Sequence, residues 1–309
     1  MSAIEYLMPV VFHQVAEKVG HVHGNFSNTK NGSTFTFRLK VLLSMCYYNG
    51  IRVSRTEFIR LKEIERDVRL YDLAKPMIDG FEYGAVNVIK PNKEYCDWDI
   101  VKVEWGFIPS NLKNREEVNK MRLGYKDEMG RFRPPLTTLN AKGEELLLPG
   151  KMYRDAALKR RCLFLSTGFY EWRHMPKMGK KGQPLKETLK YPYLISLKEQ
   201  EIFFIAGIWQ PWTDKETGET VDTCSLITTE ANELMAQVHN SKYRMPTVLT
   251  EDLAGEWLSD GLSEQRITEL ATYKIGSDRM KAHTIQKDFK TALDPAERYE
   301  YDNLPELVL

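Results

Sequence analysis

The chain has 309 residues, of which 42% are hydrophobic and 28% are charged, and its formal net charge is +1. This balance is typical of a globular protein with a sizeable core and indicates no unusual compositional class. A net charge near zero excludes a strong overall attraction to nucleic acid, so any such binding must use a local basic surface. The four cysteines lie far apart without a CxxC pair, which favours a reducing cytoplasm and excludes a sequential zinc motif.

The first 44 residues are predicted to be an extension outside the fold. A short apolar patch at residues 6–12 is broken by Pro9, and residues 20–33 are polar. We expect neither a signal peptide nor a membrane span from this composition. The fold is therefore predicted to occupy residues 45–309, behind either a removable leader or a start codon that was assigned too early.

The first predicted element of the fold is an amphipathic helix. It would begin at the capping box Ser54-x-x-Glu57. Apolar residues then recur at three- and four-residue spacing, as expected for one buried helix face: Phe58, Leu61, Ile64 and Val68.

The middle of the chain is rich in strand signals. Residues 85–89 and 100–109 are β-rich runs, whereas residues 110–133 are polar and predict a surface loop with one helical turn. Further strands are predicted at residues 191–197, 202–209 and 223–228.

The rest of the chain adds short helices. One is predicted after Thr229, and two more near residues 251–258 and 263–273, followed by a strand at 280–285. No repeat or linker divides residues 45–309. The pattern predicts a single α+β domain, mainly antiparallel and barrel-like, with short flanking helices.

The dipeptide Met45-Cys46 carries the most specific chemistry. If Cys46 became the first residue, it would combine a free α-amine (pKa about 7.7 to 8.0) with a thiol (pKa about 8.5). Such an aminothiol captures aldehydes, since the amine forms a Schiff base and the thiolate closes a thiazolidine ring on the same carbon. An internal Cys46 cannot do this, because its nitrogen is an amide. The alternative is a small buried residue at the start of a strand.

Three other residues are candidates on their own chemistry. Glu171 stands between Tyr170 and Trp172, and desolvation by aromatic neighbours would suit a general acid. The alternative for Glu171 is an exposed strand residue. His239 is either catalytic or structural, and Asn140 is either a site residue or a turn residue.

Five short motifs occur in order along the chain: Met45-Cys46, Asn140-Ala141, Gly168-Phe-Tyr-Glu-Trp172, Thr228-Thr-Glu-Ala-Asn232, and His239 with Arg244-Met-Pro246. Together they resemble the SOS response-associated peptidase (SRAP) family of abasic-site processing proteins, from Met45 to about residue 285. The resemblance implies a compact β-rich α+β domain with a positively charged DNA channel. It also implies removal of the methionine and covalent cross-linking of the N-terminal cysteine to the ring-opened aldehyde of an abasic site in single-stranded DNA.

The resemblance also implies roles for individual residues. Cys46 would be the cross-linking nucleophile, and Asn140 would hold its amine. Glu171 would be the acid and base around Schiff-base formation, and His239 would assist that proton transfer. The implied DNA-binding residues are Lys142 and Arg244 at phosphates, Trp105 and Trp172 at flanking bases, and Thr228 as a polar site residue.

The resulting prediction is a single-turnover cysteine autopeptidase and DNA–protein cross-linking protein. We expect it to need no cofactor or metal, to be a cytoplasmic monomer that joins the nucleoid during DNA damage, and to meet replication-fork proteins. Two alternatives stay open. One is an amidohydrolase that uses the same N-terminal cysteine, and the other is a non-catalytic single-strand binder with tryptophans as stacking surfaces.

Overall fold

The computed structural model describes residues 25–27, 34–36, 46–52, 58–61, 64–67, 71, 75–92, 97–302 and 304–308. The chain divides into two units, Met1–Ser44 and Met45–Leu309. In the first unit, two short strands pair as an antiparallel hairpin. The role of this unit as an extension stays a prediction.

The strands are β1 (Asn25–Ser27), β2 (Thr34–Thr36), β3 (Tyr48–Ile51), β4 (Phe58–Leu61), β5 (Ile64–Asp67), β6 (Lys75–Asp79), β7 (Ala85–Asn92), β8 (Asp97–Trp105), β9 (Tyr125–Lys126), β10 (Phe132–Arg133), β11 (Asn140–Lys142), β12 (Arg161–Ser166), β13 (Gly168–Met178), β14 (Pro184–Leu197), β15 (Phe203–Thr213), β16 (Thr220–Glu230), β17 (Arg244–Pro246), β18 (Val248–Leu249) and β19 (Met280–Thr284). The helices are α1 (Arg115–Leu123), α2 (Arg154–Lys159), α3 (Glu233–Val238), α4 (Glu251–Trp257) and α5 (Glu264–Ala271). Among the described residues, no helix is both long and apolar enough to cross a bilayer.

Five strands of the second unit close into a barrel. The pairing runs β16–β8–β7–β12–β15, and β15 pairs again with β16. Strands β11, β17 and β18 attach to this ring. Pairing is antiparallel except at β16–β8 and β11–β16. The predicted α+β class, with antiparallel barrel-like sheets and short helices, is therefore confirmed.

A second sheet has five strands in the order β19–β14–β13–β3–β6, and we call it the site sheet. All its pairings are antiparallel. Gly50 of β3 allows β6 to approach, because a Cβ there would lie 2.3 Å from the carbonyl oxygen of Pro76. The position of β3 therefore depends on a residue without a side chain.

One apolar cluster contains residues of both the barrel and the site sheet. Phe164 and Val88 come from the barrel, and Phe169 and Ile195 come from the site sheet, all at most 1% exposed. Burying one such side chain contributes about 1.5 to 3 kcal/mol. The shared core holds β13 and β3 against the barrel, which positions the residues described below.

The predicted helix at residues 54–68 is wrong. Strands β4 and β5 form an antiparallel hairpin there, with Phe58 opposite Asp67 and Leu61 opposite Ile64. Ile59 and Leu61 are both buried, which is the two-residue period of a strand. The indole N–H of Trp98 donates to the carbonyl of Leu61, so tertiary packing overrides the local helical spacing. The capping box and Val68 lie outside the described residues.

Residues 110–133 also contain more structure than predicted. Helix α1 has nine residues and begins after Asn114, whose side chain accepts from the backbone N–H of Glu117. Glu117 in turn accepts from the backbone N–H of Lys113 at 2.6 Å. These two hydrogen bonds at its N-terminus stabilise a helix that polarity alone had suggested to be a loop. The other predicted strands and helices downstream of residue 85 are confirmed.

Candidate active site

Cys46 lies two residues before β3 and is 3% exposed. Its φ of +30° is in the left-handed region, which costs a non-glycine residue about 1 to 3 kcal/mol. The backbone N–H of Cys46 donates to Oε1 of Glu171 at 2.7 Å. The two residues are 125 positions apart in sequence, so only folding brings them together.

Glu171 reaches Cys46 because of the β3–β13 register. Tyr48 lies opposite Tyr170, so the next residue of β13 falls beside the residues that precede β3. The Glu171 side chain is 4% exposed. The interpretation of Glu171 as an exposed strand residue is therefore wrong.

His239 follows α3 directly and is 5% exposed. Its Nε2 lies 3.6 Å from Oε2 of Glu171, and its Nδ1 lies 3.0 Å from the carbonyl oxygen of Arg244. A carbonyl only accepts, so Nδ1 carries the proton in this contact. This hydrogen bond fixes the imidazole ring so that Nε2 faces the Glu171 carboxylate.

A tight turn returns the chain from His239 to Arg244. Tyr243, with a φ of 56°, donates its backbone N–H to the carbonyl of His239 at 2.9 Å. The side chain of Asn240 makes two hydrogen bonds with the backbone of His174 on β13, at 2.8 and 2.9 Å. These bonds fix the turn against the strand that carries Glu171.

The side chains of Cys46, Glu171 and His239 converge. One potential ligand atom from each, Sγ, a carboxylate oxygen and a ring nitrogen, lies within 4.8 Å of the other two. Burial raises the pKa of the Cys46 thiol well above its usual range, and the charge and hydrogen bond of Glu171 raise it further, while Arg244 opposes them. The thiol is therefore protonated at neutral pH and needs a base to become a nucleophile.

Arg244 forms an ion pair beside this cluster. Its guanidinium donates through Nη1 and Nη2 to the two carboxylate oxygens of Glu144, at 2.8 and 2.7 Å. The Arg244 side chain is 12% exposed, so the fork faces Glu144 rather than solvent. A phosphate contact by Arg244 would need Glu144 to move, and it stays a prediction.

Thr228 lies in the interior of the protein. It is fully buried, and its hydroxyl donates to the carbonyl of Ala141 at 3.4 Å. Its carbonyl accepts from Arg244 at 2.7 Å. The DNA-binding role of Thr228 stays a prediction, and its observed contacts hold the Arg244 side chain.

The two tryptophans predicted to stack on bases differ. Trp105 is fully buried against Phe164, and its indole N–H donates to the carbonyl of Leu139 at 2.9 Å. The ring lies inside the core, and its stacking role on DNA stays a prediction. Trp172 is only partly buried, on β13 next to Glu171, with its ring against Tyr48.

Asn140 and Lys142 lie on β11, which pairs in parallel with β16. Asn140 is partly buried and Lys142 is exposed. Lys142 forms an ion pair with Glu145 at 3.0 Å, which is a weak contact at this exposure. The predicted roles of Asn140 at the Cys46 amine and of Lys142 at a phosphate stay predictions.

Sequence reasoning missed the residues that support the site. Glu144 lies four residues after the predicted site residue Asn140, but it was given no role. The two hydrogen bonds between Asn240 and the backbone of His174 had no signal in the sequence.

His174 itself adds no charge to the site at neutral pH. Burial and the nearby cations Lys190 and Lys242 lower the pKa of His174 to about 4, with a further contribution from His239.

Comparison with known proteins agrees with this architecture. "Abasic site processing protein YoqW" of Bacillus subtilis is 29% identical over 184 residues, which cover 60% of this chain and 68% of that protein. "Abasic site processing protein HMCES" of Gallus gallus is 30% identical over 171 residues, covering 52% of this chain and 45% of that protein. A crystal structure of a Bacteroides thetaiotaomicron protein is similar with a TM-score of 0.63 at 27% identity, covering 82% of this chain and all of that one. The family model for SOS response associated peptidase (SRAP) matches residues 61–292, so the chain belongs to the SRAP family.

Proposed function

We propose that this protein processes abasic sites in single-stranded DNA by covalent capture through Cys46. The observation that carries the proposal is the hydrogen bond from the Cys46 nitrogen to Glu171 at 2.7 Å, with His239 on the other carboxylate oxygen. Membership in the SRAP family and relatives named as abasic site processing proteins support it. The substrate atom is the C1′ aldehyde of the ring-opened sugar.

The capture reaction needs a free amine on Cys46. That amine adds to the aldehyde carbon, and loss of one water gives a Schiff base. The thiol then adds to the same carbon, its proton passes to the nitrogen, and a thiazolidine ring closes. The sum is aminothiol plus aldehyde giving thiazolidine plus water, so no oxidant or cofactor is consumed.

Glu171 is suited to each proton transfer in this sequence. Its carboxylate lies at the nitrogen that becomes the amine, and the same group contacts the thiol. In our proposal it accepts the proton of the attacking group and protonates the departing hydroxyl. His239 shares the proton through Oε2. General acid–base help of this kind contributes about 10²- to 10⁴-fold in rate.

The same geometry supports release of Cys46 from the preceding residue. In the intact chain, the Cys46 nitrogen is the leaving nitrogen of the Met45–Cys46 peptide bond. Hydrolysis consumes one water, and the leaving nitrogen needs a proton, which Glu171 is positioned to deliver. The strained φ of Cys46 also favours cleavage, because that torsion ceases to exist when the bond is cut.

In this proposal, DNA contacts Trp172 and Lys142. Trp172 follows Glu171 on β13 and is only partly buried, and stacking on one base is worth about 1 to 3 kcal/mol. Lys142 would bind a phosphate of the DNA backbone, and Arg244 would do so after it releases Glu144. Such contacts position the DNA strand without reading its base sequence. Asn140 would hold the Cys46 amine.

The rival interpretation as a passive single-strand binder depended on several tryptophans as platforms. Trp105 is in the core, Trp212 is 4% exposed, and the ring of Trp209 carries the ammonium of Lys90 at 3.2 Å from its centroid. Because these three rings are buried or covered, they offer little support to the interpretation as a passive single-strand binder. The amidohydrolase rival predicts repeated turnover without DNA.

Intact mass tests the proposal. The protein, expressed from Met1 and separately from Met45, is incubated with a single-stranded oligonucleotide that contains one abasic site. We expect a product equal to residues 46–309 plus the oligonucleotide minus one water, at one adduct per protein. Its appearance from the Met1 form would establish leader removal, and accumulation of the uncleaved chain in a Glu171→Gln variant of that form would assign the cleavage to Glu171. Absence of adduct from protein whose first residue is verified as Cys46 would overturn the proposal.

A further inference from the structure

The Cys46 cluster combines three chemically different metal-binding groups in one buried place. A thiol, an imidazole and a carboxylate supply atoms within 4.8 Å of one another, and all three residues are at most 5% exposed. Structural and catalytic zinc sites use these three donor types, and catalytic sites often use three protein ligands with one open position.

The hydrogen bonds around the cluster direct lone pairs toward its centre. His239 donates Nδ1–H to the carbonyl of Arg244, which leaves the lone pair on Nε2 facing Glu171. Metal-ligating histidines are commonly oriented by such a backbone acceptor on the opposite nitrogen. Glu171 is held in the same way, since Oε1 accepts from the Cys46 backbone and Oε2 stays toward His239.

Two acceptor atoms that face each other at 3.6 Å repel unless a positive charge lies between them. A metal cation bound between them removes this repulsion. Around tetrahedral Zn²⁺, bonds of about 2.0 to 2.3 Å place ligand atoms roughly 3.3 to 3.7 Å apart. The Nε2 to Oε2 distance already matches, and Sγ needs to move by at most about 1 Å.

We infer that Cys46, Glu171 and His239 form a Zn²⁺ site that reversibly blocks the nucleophile. The thiol loses its proton to solvent, and its sulfur, Nε2 and Oε2 bind the ion, with water at the fourth position. Thiolate and carboxylate together neutralise the two positive charges of the ion. The Arg244 charge is offset by Glu144 and does not exclude a cation.

This inference goes beyond the proposed function, because it needs neither DNA nor a free Cys46 amine. The three ligand atoms belong to side chains, so the site exists before and after leader removal. Its consequence for the chemistry is that a zinc-bound sulfur cannot add to a Schiff base, so the metal-bound form is protected and inactive until a chelator or thiol buffer removes the ion.

Binding to the full-length chain tests the site directly. Chelator-treated, reduced protein is titrated calorimetrically with Zn²⁺ and, in parallel, with Co²⁺ while absorbance is recorded. We expect one ion per chain and the thiolate-to-cobalt charge-transfer band of a tetrahedral site. The cobalt spectrum of the unaltered protein requires no variant to fold. A cobalt spectrum without sulfur charge transfer, or no stoichiometric binding, would overturn the inference.

Variants then locate the ion. Cys46→Ala and His239→Ala should each weaken Zn²⁺ affinity at least tenfold, since even supporting residues of metal sites contribute 10- to 100-fold. Cys162→Ala, which removes another buried free cysteine, is the matched control and should leave affinity within about twofold. Equal affinity in all three variants would place the ion elsewhere and contradict the assignment. This experiment contains no DNA, so a failure to bind Zn²⁺ would not contradict the proposed cross-linking. Likewise, a failure to cross-link DNA would not contradict the Zn²⁺ site.

Discussion

The site sheet and the barrel use the same residue types for different purposes. All three described cysteines are free and buried, and burial is the main cause of a raised thiol pKa in each. What differs is the surroundings. The site sheet supplies Glu171 and Trp172, and Cys46 lies two residues before its strand β3. The barrel supplies Cys162 on β12, Glu104 on β8 and Trp209 on β15.

The contacts of the site residues differ from those of the barrel residues. Glu104 is ion-paired with Arg115 and Arg122, and the face of Trp209 is covered by Lys90. Glu171 instead contacts a backbone N–H, a thiol and a histidine. Burial alone therefore makes a thiol inert. A base that is not neutralised by a guanidinium makes the same thiol usable. Each of the first three predictions below tests one matched pair.

The largest effect is expected at the cysteines. Cys46→Ala should abolish the covalent adduct with abasic single-stranded DNA, because it removes the sulfur that closes the ring. Weak, salt-sensitive binding should persist, since phosphate contacts depend on charge rather than on the thiol. Denaturing gel electrophoresis measures the adduct. Cys162→Ala should form it at the rate of the unaltered protein, and an adduct that survives in Cys46→Ala would contradict the assignment.

The glutamates should differ by orders of magnitude. Glu171→Gln keeps the shape but removes the base, so adduct formation should slow by about 10²- to 10⁴-fold. Single-turnover kinetics on protein that begins at Cys46 measures this rate. Glu104→Gln removes a carboxylate of the barrel that two arginines neutralise, and the rate of adduct formation per folded molecule should stay within about twofold. Similar slowing in both variants would show a structural rather than a chemical role for Glu171.

The tryptophans should differ in binding alone. Trp172→Ala should weaken affinity for undamaged single-stranded DNA by about 1 to 3 kcal/mol, roughly 5- to 150-fold, because a stacking face is lost. Fluorescence anisotropy at fixed salt measures the dissociation constant. Trp209→Ala is the control, since Lys90 already covers that ring. Equal losses in the two variants would remove Trp172 from the DNA-binding face.

Arg244 contacts the site through its backbone and Glu144 through its side chain. Its carbonyl orients His239, and its side chain binds Glu144. Arg244→Ala should therefore lower the free energy of unfolding by about 1 to 2 kcal/mol while slowing adduct formation far less than Glu171→Gln. Urea denaturation and cross-linking rates measure the two effects. A rate as low as that of Glu171→Gln would mean that the guanidinium itself takes part in the chemistry.

The smallest effect concerns the pH dependence of stability, which follows from the burial of both Cys46 and Cys162. Burial raises the folded-state pKa of Cys162, so the unfolded chain releases its proton first as pH rises above about 8.5. The stabilising contribution is complete below that pH and is lost above it, at up to about 1.4 kcal/mol per pH unit. Urea denaturation at pH 7, 9 and 10 should show a shallower decline in Cys162→Ala and in Cys46→Ala. Curves parallel to that of the unaltered protein would contradict burial as the cause.

The predictions from sequence were most accurate where information is local. Alternating strands such as β14 and β15, and the short helices near residues 251–258 and 263–273, were found because the pattern of each lies within one segment. Apolar spacing failed at β4 and β5, where the same residues satisfy a helix or a hairpin. The contact of Trp98 with Leu61 favours the hairpin there, and no local pattern contains it.

The sequence by itself determined the aminothiol chemistry of Met45-Cys46 and the ordered motifs that carry the family resemblance, because these are properties of adjacent residues. Only the tertiary structure decided that Glu171 and His239 face Cys46, that Trp105 and Thr228 are buried, and that Arg244 binds Glu144. Strand register and barrel closure join residues more than a hundred positions apart. Such contacts depend on how two sheets share one core, and a linear pattern does not contain that information.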